Sequence, residues 1–281
     1  MPNAVLLAHG PLRPRLAAAL TDFVYRSGGR IVSHEQYVDQ EDARYYTRLE
    51  WETEAPRERI EADLRAGIGE PFDLRWTLRS SDHRPRIGVF VSKLPHCLYE
   101  ILARVRSGEW RAEVPLIVGN HPDLEPVART FGIEFLLTPV DGSNKRAQEE
   151  RQVAALRERG VELVVLARYM QVLSDGFVAA YPDAIVNIHH AFLPSFPGAK
   201  PYHAARRRGV KMIGATSHYV TAELDAGPII EQDVIRVGHR HSVEELVRLG
   251  RDLEKIVLAR AVRLHLERRV VVHDGRTVVF D

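Results

Sequence analysis

The chain has 281 residues, 45% of them hydrophobic and 27% charged, the balance of an ordinary globular protein with enough apolar side chains for a real core. Thirty-nine Lys and Arg against thirty-eight Asp and Glu leave a net charge of +1, so no basic field draws in a nucleic acid, and no segment reaches the roughly 18 apolar residues of a membrane span. Cys97, the one cysteine, cannot form an internal disulfide, and its flanks lack the paired spacing of a zinc or redox motif; because Met1 to His9 has no basic leader and too short an apolar run for export, the expected compartment is the cytoplasm.

Val5-Leu6-Leu7 starts a strand, and Leu12, Leu16, Leu20, Phe23 and Val24 then recur at helical spacing until Ser27-Gly28-Gly29 ends the segment. Ile31 to Val38 and Tyr45 to Trp51 read as strands around a polar turn, Asp39 to Ala43. Pro56 opens a second helix carrying Ile60 and Leu64, and Leu74, Trp76 and Leu78 alternate as a last strand. This order predicts a ferredoxin-like βαββαβ domain over residues 1–80. Arg79 to Arg86 has no apolar residue except Pro85, which places an interdomain linker at 81–86.

A different rhythm begins at Ile87. Ile87 to Val91, Leu116 to Val118, Phe135 to Leu137 and Leu163 to Leu166 are short apolar runs separated by stretches long enough for a helix. They predict an α/β domain over residues 87–281, a Rossmann-like, mostly parallel sheet with helices on both faces. The first run leads into Ser92-Lys93-Leu94-Pro95-His96-Cys97 in place of a Gly-x-Gly-x-x-Gly turn, so neither NAD nor ATP is expected. Arg206, Arg207 and Arg208 read as the solvated C-terminal end of a helix, where cations suit the helix dipole. Val243 to Leu266 is an amphipathic helix, and Val270 to His273 and Val278 to Phe280 form a hairpin around Asp274-Gly275.

The residues able to do chemistry lie in two apolar, strand-like segments, Ala184 to His190 and Ile213 to Thr221, each running into a Gly- and Pro-containing turn. Asn187 and His189 are two apart, so a strand projects both to one face. Asp225 follows the second segment. An amide suits a developing oxyanion, an imidazole suits acid–base transfer, and a carboxylate suits holding that imidazole in its useful tautomer. The sequence leaves open which of His189 and Asp225 is the base. His190, His203 and His218 add imidazoles nearby, of which His218 is expected to line the pocket. No metal is expected, because His189 and His190 should point to opposite faces of a strand and no Glu or Cys completes a ligand set.

The string from Asn187 to His203, together with Val91 to Leu98, Leu166 to Leu173 and Gly214 to Asp233, resembles the deformylase branch of the formyltetrahydrofolate-dependent formyltransferase fold, the formyltetrahydrofolate deformylases. The resemblance is close over 87–281 and rests on element order in the first eighty residues, where that family carries an ACT-type regulatory domain. It implies a hydrolase that converts 10-formyltetrahydrofolate to formate and tetrahydrofolate without a cofactor, balancing the one-carbon pool for purine biosynthesis, with Asn187, His189 and Asp225 catalytic. It further implies that the pterin meets backbone groups of Met170, Gln171, Val172 and Leu173 and of Ala222, Glu223, Leu224 and Asp225. Gln171 stands where the family commonly has Arg, so that position offers no cation to the folate tail, and Ala191 replaces a usual Ser.

Transferases of this fold present a Gly-rich turn whose backbone N–H groups hold a phosphate; here Lys93-Leu94-Pro95 takes that place, and Pro95 has no N–H. Water is therefore favoured as the formyl acceptor. A formyltransferase with an amine acceptor and a catalytically silent folate sensor stay open as alternatives. The ACT-type resemblance implies a homo-oligomer, dimer or tetramer, with a possible amino-acid effector such as glycine or methionine. Its turn is His9 to Arg15, in which Gly10 and Arg13-Pro14 replace the family's usual Asp and Gly-Leu.

Overall fold

The computed structural model describes residues 3–194 and 201–281. One compact unit takes in the chain up to His83 with Glu267–His273 and Val278–Asp281; the other is Arg84–Leu266 with Asp274–Thr277.

The first unit runs β1 (Asn3–Pro11), α1 (Leu16–Arg26), β2 (Arg30–Asp39), β3 (Arg44–Glu52), α2 (Arg57–Leu64) continued by a π-helical turn at Arg65–Gly69, and β4 (Arg75–Ser80). Its sheet has the order β2-β3-β1-β4, antiparallel throughout, which is the ferredoxin-like arrangement. Helix α1 buries Leu16, Leu20 and Val24, four residues apart, against Leu6, Leu49 and Trp51 of the sheet. Strand β1 reaches further than its sequence suggests: Gly10 pairs with Tyr45 and Pro11 with Arg44. Gly10 is thus a sheet residue and not a turn residue, required because a Cβ there would lie 2.6 Å from the Leu74 side chain. The turn into α1 shrinks to Leu12–Arg15, with Arg15 left-handed at φ 67°.

The second unit runs β5 (Arg86–Val91), α3 (His96–Arg106), β6 (Glu113–Gly119), a 3₁₀ turn at Pro122–Leu124, α4 (Glu125–Phe131), β7 (Glu134–Leu137), α5 (Lys145–Glu158), β8 (Leu163–Leu166), α6 (Asp175–Ala180), β9 (Ile185–His189), α7 (Pro201–Arg208), β10 (Met212–Tyr219), β11 (Ile229–Arg236) and α8 (Val243–Leu266). The sheet order is β11-β10-β9-β8-β5-β6-β7. Strands β5 to β9 pair in parallel, while β10 and β11 are antiparallel. Ile87, Val89, Phe90 and Val91 of β5 are fully buried, as are Leu163, Val164 and Val165 of β8, which is why both read as unbroken apolar runs.

Chain order reverses between β5 and β8, since β6 and β7 lie on one side of β5 and β8 and β9 on the other. A crevice outside the carboxyl ends of β5 and β8 is where such a sheet places ligands. Ser92, just past β5, fastens that end: its Oγ accepts from the Met170 N–H at 2.9 Å and donates to Asn120 Oδ1 at 2.7 Å.

After α8 the chain forms β12 (Val270–His273) and β13 (Arg276–Val279), paired in a two-stranded sheet. Sequence placed everything after residue 86 in the second domain, but Glu267–His273 and Val278–Asp281 fall in the first unit. The cause is the uncovered face of the first sheet. Leu6 and Ala8 face the helices, so Leu7 and Tyr46 face the other way, and Val271 and Phe280 bury them. Among the described residues, no helix is long and apolar enough to cross a membrane.

Candidate active site

Strand β9 buries Ile185, Val186 and Ile188, which fixes its register and turns Asn187 and His189 to one side. Antiparallel pairing with β10 sets His218 opposite Asn187 and Thr216 opposite His189. Asn187 Nδ2 lies 3.2 Å from His218 Nε2, and His218 Nδ1 lies 2.8 Å from the Tyr219 carbonyl. A carbonyl only accepts, so Nδ1 of His218 carries the proton, and in the neutral ring Nε2 accepts from the Asn187 amide. That contact aims the amide and leaves its second N–H without a partner among the described residues.

The loop after β10 folds back to the same place. Tyr219 N donates to the Pro228 carbonyl, and Gly227 passes so close that a Cβ would lie 1.8 Å from the Tyr219 oxygen. Within this bend Asp225 is left-handed, φ 54°. Its Oδ2 lies 3.2 Å from His189 Nδ1 and its Oδ1 lies 3.7 Å from His218 Nε2, the second an ion-pair distance and too long for a hydrogen bond. The structure thus brings Asn187, His189 and Asp225 together, with His218 bonded to the amide and 3.7 Å from the carboxylate.

His218 and then His189 hold the Asp225 carboxyl below the usual carboxylate range, although burial opposes them. Burial drives the His189 pKa down; Asp225 resists this, and His218 and Arg168 add to it. The ring is therefore neutral near pH 7, with its Nδ1 proton directed at Asp225. Its other nitrogen, Nε2, is buried and has no hydrogen-bond partner among the described residues. A neutral imidazole oriented by a carboxylate, with its Nε2 lone pair uncommitted, can take a proton from water, and the amide beside it can donate to a developing oxyanion.

Of the two expected pterin loops, Met170 to Leu173 follows β8, and Ala222 to Asp225 follows β10. Met170 is 58% exposed, Val172 53% and Leu224 65%, an unusual density of open apolar side chains for two short loops. Gln171 is half-buried. Leu173 instead packs into the core with Phe90, Tyr169 and Phe177, so only its backbone is available to a ligand. The Met170 N–H, donated to Ser92, is likewise taken. Ala222 and Glu223 are exposed.

His189 and His190 do not diverge as a strand would require. Strand β9 ends at His189, alternation ends with it, and the two rings stand 5.2 Å apart, inclined by 31°. Burial, then Arg168 and His189, push the His190 pKa down to about 4. Residues 195–200, inside the string that carries the resemblance, lie outside the described residues.

Sequence reading missed a buried polar group beside this site. Glu254 on α8, 1% exposed, accepts from Tyr202 Oη at 2.9 Å, lies 2.8 Å from His96 Nε2, and pairs with Arg168 Nε at 3.5 Å. Burial raises its pKa, but His96, Arg168 and Tyr202 outweigh it and keep the carboxylate below its ordinary range. The available signal was an acid on the apolar stripe of α8, between Leu253 and Val257. His96, Cys97 and Glu254 also bring ligand atoms within 4.8 Å of one another. They suit a metal poorly: His96 already bonds Glu254, and burial, then Glu254, push the Cys97 thiol up, away from the thiolate a metal binds.

The formyl transferase family model matches residues 85–262. A formyltetrahydrofolate deformylase of Synechocystis is 50% identical over 280 residues, covering 99% of this chain and 98% of the relative. That of Bacillus subtilis is 42% identical, covering 98% and 93%. The crystal structure of a formyltetrahydrofolate deformylase from Pseudomonas syringae superimposes with a TM-score of 0.97 at 40% identity, over 100% of this chain and 95% of the other.

Proposed function

The chain belongs to the formyltetrahydrofolate deformylase family, and from that premise we propose that it hydrolyses 10-formyltetrahydrofolate to formate and tetrahydrofolate through His189, Asn187 and Asp225. The observation that carries the residue assignment is the buried His189 ring, with Nδ1 3.2 Å from Asp225 and Nε2 without a partner among the described residues. Water attacks the formyl carbon as His189 Nε2 takes its proton. Asn187 Nδ2 donates to the oxyanion, and removing such a donor costs roughly 10²–10³ in rate. Asp225 steadies the imidazolium. The C–N10 bond then breaks, with N10 taking the proton from Nε2. No step calls for a metal or a cofactor. Backbone groups of Gln171, Val172 and Leu173 and of Ala222, Glu223 and Leu224 read the pterin edge, and the open side chains of Met170, Val172 and Leu224 supply apolar contact.

The first unit, on this reading, is an ACT-type regulatory domain through which the chain forms a homo-oligomer. Its edge strand β2 exposes Ile31, Val32 and Tyr37 beside unpaired backbone, which suits pairing with a second copy. Titration calorimetry with glycine and methionine tests an amino-acid effector. A cytoplasmic location fits the single buried thiol of Cys97. The enzyme balances the folate one-carbon pool that feeds purine biosynthesis.

One assay tests the reaction: purified protein with 10-formyltetrahydrofolate and no amine. Formate in step with tetrahydrofolate is expected. Turnover only after an amine is added identifies a transferase, and tight folate binding with no product identifies a sensor.

A further inference from the structure

We propose that Arg168 commits this site to water: its guanidinium, paired with Glu254, closes the crevice between β5 and β8 through which an amine would reach the formyl carbon. The inference rests on the hydrolytic reading above and names what enforces it.

Arg168 leaves the carboxyl end of β8 at the reversal of chain order, where Ala167 N donates to Phe90 O of β5 at 2.9 Å. Its backbone is left-handed, φ 63°, a conformation that glycine adopts without strain and arginine does not. Its side chain is only 11% exposed. A strained backbone and a buried cation each destabilise a fold, and both occur at the crevice where an open α/β sheet seats a ligand. Such strain persists only where the surroundings fix it. Here they do so through Glu254, whose carboxylate meets Arg168, His96 from the β5 side and Tyr202 from α7. Gly250 admits the Tyr202 ring, since a Cβ there would lie 1.9 Å from the hydroxyl. Arg168 also acts on the catalytic side, where its charge bears on both His189 and His190.

A cavity of about 590 Å³, large enough for a small substrate, adjoins this group at His96. His96, His203, Arg248, Arg251 and Lys255 are among its walls, and Asn187, His189 and Asp225 are not. His96 lines the cavity, Glu254 joins it to Arg168, and the Arg168 charge acts on the reacting imidazole. Space for a second substrate exists, and the contacts that join its His96 wall to the catalytic imidazoles run through Glu254 and Arg168.

Both possible reactions break the same C–N10 bond and return one proton to N10. With water the carbon gains a C–O bond and leaves as formate; with an amine it gains a C–N bond and leaves as a formamide, the amine proton passing through His189. The test is the partition of product when full-length protein is given 10-formyltetrahydrofolate and millimolar glycinamide, with formate and N-formylglycinamide both quantified. Wild type is expected to yield formate with only background formamide. Arg168→Gly, in which glycine suits the left-handed backbone, is expected to raise the formamide-to-formate ratio by roughly tenfold or more, and Glu254→Gln, which releases the guanidinium, is expected to raise it as well. A role confined to stability would lower total turnover and leave the ratio unmoved. An unchanged ratio in Arg168→Gly overturns the proposal; if that variant does not fold, an unchanged ratio in Glu254→Gln does so. Wild type that formylates glycinamide as readily as the variants also overturns it, whereas the hydrolytic reading fails separately, if wild type releases no formate when the amine is left out.

Discussion

His189 is set by two influences acting in different ways: Asp225 fixes which nitrogen holds the proton, and burial fixes that the ring is neutral. Asp225→Asn keeps the shape and removes the charge, and an amide can turn either end to the ring, so the tautomer is no longer held. We expect kcat to fall by roughly 10³–10⁴ with KM little changed, read from steady-state formate release; a kcat within a few-fold of wild type would remove Asp225 from the mechanism. Acid should act on this pair of imidazoles in a definite direction. His189 and His190 both titrate below the 6.5 of an exposed ring, His190 at about 4. Between pH 6.5 and about 4 the unfolded chain therefore binds more protons than the folded one, and stability rises with pH across that window and is lost as pH falls through it. His190→Asn should flatten this slope in urea melts at several pH values, and an unaltered slope would assign the acid sensitivity elsewhere. Asn187 and His189 were legible from a period of two. Asp225 was not, because a left-handed loop residue has no periodicity, and only its surrounding string marked it.

Helix α8 shows how one position can serve packing and chemistry together. Replacing a mid-helix glycine by alanine should stabilise a helix by about 1 kcal/mol on propensity alone. At Gly250 the new Cβ would stand 1.9 Å from the Tyr202 hydroxyl and 2.3 Å from the adjoining ring carbon, so the buried ring must move as a body and leave Glu254. Overpacking of this kind costs about 1–3 kcal/mol. The clash should win, and Gly250→Ala should lower the urea midpoint; a higher midpoint would show that Tyr202 yields freely. Element type followed burial. Strands β5 and β8 were legible because central parallel strands are apolar on both faces, and α8 because its stripe recurs at helical spacing. Strand β11 was not read as a strand: it is an edge, its Glu231, Asp233 and Arg236 interrupt the apolar positions, and only pairing with β10 makes it extended. Arg168 and Glu254 were opaque for a related reason, since they meet through tertiary contact across 86 positions, a separation read from their numbering.

The two ends of the chain close a single sheet face, an arrangement that neither end announces. Leu7 and Tyr46 are buried by Val271 and Phe280, and Phe280 N donates to the Arg269 carbonyl at 2.8 Å, while Arg269 returns a bond to the Phe280 carbonyl at 2.9 Å. The first unit is thus completed by residues that follow α8. Loop closure over such a span adds little entropy per added residue, because the term grows only with the logarithm of length. The contact can therefore stabilise the unit once formed, but it cannot form before Val271 and Phe280 have been made. Phe280→Ala removes a buried ring whose loss costs about 3–5 kcal/mol in a full core; this cluster is small, so the lower end applies. The effect should be local. Hydrogen exchange at the β1 and β3 amides should quicken, while the β5 and β8 amides, which pair within the other sheet, keep their protection. Equal quickening in both sheets would show that the two units unfold as one, and no change in either would show that the Phe280 ring contributes nothing to the face it covers.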